Sequence, residues 1–233
     1  SVTIPQGVTK IESAAFSGCS GLTSVTIPQG VTTIGGNAFS GCSALTSVTI
    51  PKGVTTIGLY AFHNCSGLTS VTIPQGVTYI GDEAFSGCSG LTSVYISSIE
   101  DWCNIDFASY GSNPFYYAKN VYLNGTLLEE LIIPSGITEI KDYTFMNWQN
   151  ITSITIPQGV TTIGEYAFSG CYGLTSVYIS SIEDWCNIVF DNNEYDYSAN
   201  PLCFADCLFL NGTLVTDLEI PNTVTKIKDC AFY

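Results

Sequence analysis

Leu22-Thr-Ser-Val-Thr-Ile-Pro-Gln-Gly-Val-Thr-Thr-Ile-Gly-Gly-Asn-Ala-Phe-Ser-Gly-Cys-Ser-Ala44 decides the fold, because nearly all of the chain is this stretch repeated or interrupted. The period is 23 residues: Val2, Val25, Val48 and Val71 fall in register, and the frame returns at Leu131, Ile154 and Leu218. One such unit cannot enclose a core, so a fixed period of this length predicts a solenoid whose coils cover one another's open ends. The 233 residues accommodate about nine coils, each a strand plus a short helical or 3-10 turn, in an α/β solenoid.

Within the unit, Leu22, Val25 and Ile27 end in an alternation that reads as a strand with one buried face. Pro28-Gln-Gly30 turns the chain, since proline presets φ and glycine relieves the corner. Val31 and Ile34 then point inward, and Ala38-Phe39 opens a turn that packs a ring in the interior. Phe16, Phe39, Phe62 and Phe85 are therefore expected in a line. The residue before the cysteine position is Gly18, Gly41, Asn64, Gly87, Asn147 and Gly170. Glycine and asparagine most readily accept φ > 0, which predicts a left-handed residue there.

Residues 1–92 are regular repeats, 93–130 a first insert, 131–175 regular again, 176–217 a second insert and 218–233 a truncated repeat, together read as a single solenoid. Each insert has a helix start, Ser98-Ile-Glu-Asp101 and its counterpart Ser181-Ile-Glu-Asp184, with serine at the N-cap. Trp102 and Ile105 of that helix are expected in the core. Asn124-Gly125 and Asn211-Gly212 are two-residue hairpin signals, read here as protruding hairpins after which stacking resumes at Leu131 and Leu218.

Hydrophobic residues make up 45% of the chain and charged ones 11%, with a net charge of −14. That balance argues against nucleic acid or an anionic membrane as partner. No apolar run approaches the ~20 residues a membrane span needs. The chain opens inside a repeat at Ser1 and stops inside one at Tyr233, which reads as a piece of a longer protein. Cys19, Cys42, Cys65, Cys88 and Cys171 share one repeat position, where parallel Cβ vectors disfavour disulfides and buried free thiols are expected. Trp148 fills the same position. Cys203, Cys207 and Cys230 lie outside the column, free to pair or simply to fill space.

The combined pattern Leu-x-x-Val-x-Ile-Pro-x-x-Val-Thr-x-Ile-Gly-x-x-Ala-Phe-x-Gly-Cys resembles the repeat of the BspA-like leucine-rich repeat family of bacterial surface proteins. The resemblance runs from end to end, and the Ile-Glu-Asp-Trp-Cys-Asn modules are similar to inserts in large multi-repeat members from gut bacteria. It implies a curved, secreted or cell-surface solenoid that adheres to host or microbial surface proteins or glycans, with no shared catalytic motif and no cofactor. The chain departs from commoner leucine-rich repeats in lacking the asparagine of the ladder; Gly30 stands near that place.

Candidate chemistry is sparse. Glu100/Asp101 and Glu183/Asp184 beside Trp102 and Trp185 have the composition of a glycosidase pair, but capping accounts for them. His63, the one histidine, replaces a serine of other units, which leaves no base for a nucleophile. Asp191-Asn-Asn-Glu-Tyr-Asp196 carries oxygen ligands without the glycine of a calcium loop. Asn124, Asn150 and Asn211 open glycosylation sequons, two of which are the hairpin turns. Threonine columns at Thr3, Thr26, Thr49 and Thr72 and at Thr9, Thr32, Thr55 and Thr78 would suit an ice-binding face, but Tyr95, Ile132, Tyr178 and Glu219 interrupt the first.

Recognition is best placed on the outward strand positions, Thr23, Ser24, Thr26 and their equivalents, which become distinctive at the inserts. The candidate binding residues are Tyr95, Glu129, Glu130, Ile132, Tyr178, Asp217 and Glu219, with the loop residues Tyr110 and Tyr195. The expectation is a monomeric, non-enzymatic interaction module. The alternative is a passive spacer in a larger surface protein.

Overall fold

The computed structural model describes residues 1–191 and 197–232, and the chain divides into two compact units, Ser1–Leu127 and Leu128–Tyr233. The coils form a β-solenoid of about eight turns, close to the count read from the repeat. The first unit contains β1 (Val2–Thr3), β2 (Lys10–Ile11), β3 (Ser24–Thr26), β4 (Thr33–Ile34), β5 (Ser47–Thr49), β6 (Thr56–Ile57), β7 (Ser70–Thr72), β8 (Tyr79–Ile80), β9 (Ser93–Ile96), α1 (Ile99–Cys103), β10 (Asp106–Phe107), β11 (Asn120–Leu123) and β12 (Thr126–Leu127). The second contains β13 (Glu130–Ile132), β14 (Glu139–Ile140), β15 (Ser153–Thr155), β16 (Thr162–Ile163), β17 (Ser176–Ile179), α2 (Ile182–Asn187), β18 (Val189–Phe190), β19 (Cys207–Leu210) and β20 (Thr213–Leu214).

Each unit has a main strand sheet, β1-β3-β5-β7-β9-β11-β12 and β13-β15-β17-β19-β20, and a second sheet one leg further round the coil, β10-β8-β6-β4-β2 and β14-β16-β18. Coil-to-coil pairing is parallel and in register, Val25 beside Val48 and Val48 beside Val71. Because the period is constant, every inward residue meets its own copy in the next coil. Val31, Ile34, Phe39 and Cys42 are fully buried, as are Val54, Ile57, Phe62 and Cys65 one coil on. The phenylalanines do stand in a line: Phe16, Phe39, Phe62 and Phe85 stack with centroids 5.2, 5.4 and 5.4 Å apart. Among the described residues no cysteine is in a disulfide, and the thiols of Cys65, Cys88 and Cys171 each donate to a phenylalanine carbonyl of the preceding coil.

The third leg differs from the helical turn expected at Ala38-Phe39. Ala38, Ser40 and Cys42 donate N–H to the carbonyl three residues back, the spacing of a 3-10 turn, but Asn37, Phe39 and Gly41 donate instead to Leu59, Ala61 and His63 of the next coil. Alternate amides thus serve the local turn and the inter-coil ladder, so no continuous helix forms. The arrangement needs left-handed residues. The expected column is present, with Gly18, Gly41, Asn64, Gly87, Asn147 and Gly170 at φ between 57° and 75°. A second column, which no glycine announces, places Ala14, Asn37, Tyr60, Glu83, Tyr143 and Tyr166 at φ between 53° and 60°. Left-handed backbone costs an L-residue ~1–2 kcal/mol, and the inter-coil bonds made at this position offset it.

Packing also dictates glycine at Gly35, Gly58, Gly81 and Gly164. A Cβ at Gly81 would lie 2.5 Å from the Leu59 amide nitrogen of the coil before it, and one at Gly164 would lie 2.5 Å from that of Asp142. The equivalent positions after the edge strands β2 and β14 are Glu12 and Lys141, where no preceding coil pairs in the sheet.

Threonine replaces the missing asparagine ladder. Thr46, Thr69 and Thr92 donate their hydroxyls to the backbone carbonyls of Thr23, Thr46 and Thr69, 23 residues back, and Thr32, Thr55 and Thr78 do the same along the second column. Thr152 and Thr175 repeat this in the second unit. The Thr23 column is therefore part of the coil-to-coil bonding rather than a free recognition row.

In the inserts, Ser98 and Ser181 cap their helices by accepting the N–H of Asp101 and Asp184 at 3.0 Å. Trp102 and Ile105 are buried as expected, and Phe115 packs edge-on against Trp102 at 5.6 Å. The hairpins do not simply protrude. Their first strands are rungs of the main sheet, β11 parallel to β9 and β19 parallel to β17, and the return strands close that sheet. Nor does a strand form at Leu218. Leu131 is 1% exposed because β15 pairs with its strand, whereas Leu218 is 42% exposed and lies in no strand among the described residues.

Candidate functional site

On the main sheet of the first unit the outward residues form one row, Thr3, Thr26, Thr49, Thr72, Tyr95 and Tyr122, fixed by the parallel register. Tyr95 and Tyr122 stack at 4.8 Å with an interplanar angle of 16°. Leu127 of the return strand pairs with Tyr122 and is exposed. The second unit builds the same row as Ile132, Thr155, Tyr178 and Phe209, closed by Leu214. Tyr178 and Phe209 stack at 4.5 Å and 14°, and Ile132 is 65% exposed. Parallel neighbours in a sheet lie ~4.8 Å apart, the separation at which flat rings stack.

A groove of about 370 Å³ runs along the first row at the corner where the strands turn. Ile50, Ile73, Pro51 and Pro74 are the buried floor; Thr49, Lys52, Tyr95 and Asn124 stand around it. Tyr95 gives one face to Tyr122, and its neighbour on the other side is the much smaller Thr72, so the phenol stands in the groove wall as a step. In the second unit Asp217 and Glu219 line a different groove of about 290 Å³, with Leu210, Leu214 and Leu218.

The structure brings together only some of the sequence candidates. Ile132 and Tyr178 share a row, and Asp217 and Glu219 share a groove. Glu129 and Glu130 are exposed beside β13, and the Glu129 carbonyl accepts the Thr152 amide and hydroxyl. Tyr110 is not on the strand leg. Its neighbour Gly111 accepts the Phe85 amide on the third leg, where Tyr110 packs against Tyr116 at 5.2 Å. There burial, reinforced by Tyr110, Tyr117 and Glu83, raises the pKa of the Tyr116 phenol. Tyr195 and most of the Asp191–Asp196 run lie outside the described residues.

Tyr122 and Phe209 were missed because the hairpins were read as protrusions. Their signal is the Tyr-Leu-Asn-Gly and Phe-Leu-Asn-Gly phase, which places an aromatic outward two residues before the turn. Of the carboxylate pairs, Asp101 beside Trp102 and Asp184 beside Trp185 line clefts of about 10 Å³ each, room for about one water. His63 packs edge-on against Tyr60 at 5.1 Å. Among the described residues no three His, Cys, Asp or Glu side chains gather as a metal site, and no helix is long and apolar enough to cross a membrane.

The family described as a BspA type leucine rich repeat region matches residues 1–112 and 116–233, in six copies. No curated protein matches the chain. Among solved structures, a leucine rich repeat protein of T. pallidum is 25% identical, with 74% of this chain and 77% of that one covered and a TM-score of 0.50. A leucine-rich repeat protein from Bacteroides ovatus is 27% identical over 85% of this chain, which spans 58% of that protein's length, with a TM-score of 0.49. A leucine rich cell surface protein from Faecalibacterium prausnitzii is 24% identical, with 78% and 67% covered and a TM-score of 0.41.

Proposed function

This chain belongs to the BspA type leucine-rich repeat family, whose repeats generally mediate protein interactions and are typically non-catalytic, and on that premise we propose that it is an adhesion module of a bacterial surface or secreted protein. It holds host or microbial surface proteins or glycans on its strand faces, without catalysis and without a cofactor. The observation that carries this reading is the paired aromatic at the same place in both units, Tyr95 on Tyr122 and Tyr178 on Phe209. Nothing in the scaffold calls for large rings there, since threonine fills the same row in the coils before them. Rigid scaffolds carry recognition on such exposed exceptions, and aromatic side chains are enriched where binding energy concentrates.

The plain Ser/Thr surface of residues 1–92 favours a second reading, a spacer that only projects other parts of a larger protein. Arrays of host matrix proteins, bacterial wall proteins and glycans, probed with the full chain, separate the two. The adhesion reading expects at least one retained molecule whose affinity falls about tenfold in the double variant Tyr95→Ala, Tyr178→Ala, the scale of ~1.4 kcal/mol. Retention of nothing, or retention indifferent to both tyrosines, leaves the spacer.

A further inference from the structure

We propose that the groove of the first unit takes an acidic saccharide, its carboxylate at Lys52 and a sugar ring against the open face of Tyr95. The inference names a ligand class for one of the two faces invoked above, and so rests on the interaction reading. The groove, about 370 Å³, has no acidic side chain in its lining and one cation, Lys52. Lys10, the other lysine of residues 1–92, is held by Glu12 at 3.3 Å, whereas Lys52 is exposed and has no carboxylate within 4.0 Å among the described residues. Against the repulsion of a chain of net charge −14, an uncompensated lysine over an apolar floor supplies a local attraction for a small anion.

The rest of the lining decides what bears the anion. Gln29, Thr49, Thr72 and Asn124 offer neutral hydroxyl and amide groups at the rim, and Tyr95 offers a flat apolar step. An extended acidic peptide would normally claim backbone partners by adding to a strand edge. Here β5, β7 and β9 are each paired on both sides, so their amides and carbonyls are spent. A sugar needs none of them: its hydroxyls match the threonine and amide side chains, and its C–H face covers an aromatic ring. The volume lies at the lower end of the ~300–1,000 Å³ of ligand pockets, which suits a sugar or two rather than a long chain segment. In the second unit the matching positions are Ile132 for Thr49 and Ser135 for Lys52, so the assignment is to the first unit alone.

The test is calorimetric titration of the full chain with digalacturonate, with neutral digalactose and with tetraglutamate, each variant first checked for an unchanged melting curve. Digalacturonate is expected to bind several-fold more tightly than digalactose, with the difference shrinking as salt is added. Lys52→Met is expected to weaken digalacturonate about fivefold, to the level of the neutral sugar. Tyr95→Ala weakens both sugars about tenfold, Tyr95→Phe restores them, and Tyr172→Ala, at an exposed tyrosine of the second unit, changes neither. Tetraglutamate binding as well as digalacturonate overturns the proposal, as does indifference to Lys52 and Tyr95, or no digalacturonate binding at millimolar concentration. If those failures occur while the arrays still retain a molecule sensitive to the tyrosines, only the saccharide assignment falls; if the arrays are empty as well, the adhesion reading falls with it.

Discussion

Residues Ser1–Leu127 hold three lysines against six carboxylates, and Leu128–Tyr233 hold three against fourteen. The outward row of the first unit ends Thr49, Thr72, Tyr95, Tyr122, that of the second Ile132, Thr155, Tyr178, Phe209. Yet their interiors are almost interchangeable: Val94 and Val177, Trp102 and Trp185, and Cys103 and Cys186 are all buried. The contrast teaches where freedom lies in a stacked coil. An inward residue must fit its own copy above and below, so it cannot change alone. An outward one meets only solvent and its two row neighbours, so a duplicated module keeps its frame while its surface turns from hydroxylic and weakly acidic to apolar and strongly acidic.

The largest effects test whether the two interiors are separate. Trp102→Ala is expected to destabilise the first unit by ~3–5 kcal/mol, seen as an early transition in far-ultraviolet circular dichroism during urea unfolding. Both remaining tryptophans, Trp148 and Trp185, belong to the second unit, so fluorescence should keep its midpoint; a midpoint that falls with the dichroism would mean one shared core. Next come the coil-packing glycines. Gly81→Ala, whose Cβ meets the Leu59 backbone at 2.5 Å, should cost ~3 kcal/mol, while Lys141→Ala at the matching place on an edge strand should stay within about 0.5 kcal/mol. Equal costs would break the account of glycine as a spacer between coils.

Alkali should weaken the first unit more than the second, because burial raises the thiols of Cys42, Cys65, Cys88 and Cys103 in the first and those of Cys171 and Cys186 in the second. Burial pushes the thiols of Cys88 and Cys171 up to about 12, so each folded thiol keeps a proton that the unfolded chain releases near 9. Their contribution is intact below about pH 9 and declines as pH rises toward 12, by at most ~1.4 kcal/mol per pH unit and thiol. Melting temperatures followed from pH 8 to 11 should therefore fall less steeply in Cys88→Ala or Cys171→Ala than in the parent. Smallest is the threonine ladder: Thr69→Val and Thr175→Val should each cost ~0.5–1.5 kcal/mol, equal in the two units because both hydroxyls reach a carbonyl 23 residues back. A loss in one unit only would show that the ladder does not work alike in the two units.

Much of this was legible in the repeat. Val25, Ile27, Ile34 and Phe39 announce their burial by period alone, Gly41 and Asn64 announce their left-handed backbone, and Ser98 announces the helix start. Of the binding candidates, Tyr95, Ile132 and Tyr178 were found as exceptions in a threonine row. Their partners Tyr122 and Phe209 were not, because pairing across 27 and 31 residues depends on which hairpin strand enters the sheet. Tyr110, read as a loop residue, packs against Tyr116 on the third leg, and its sequence nearness to Tyr95 does not fix which leg of the coil it occupies.

What the amino-acid order settled by itself is the coil: a 23-residue period, its inward residues and its first column of left-handed positions, since each follows from local stereochemistry and from every unit meeting a near copy of itself. The tertiary structure alone decided where the strand sheets close, which residues such as Tyr60 and Glu83 bear a left-handed backbone without being glycine, and which outward rings touch. Those outcomes depend on hydrogen bonds and contacts made between coils, and a single coil's sequence does not contain the neighbour that imposes them.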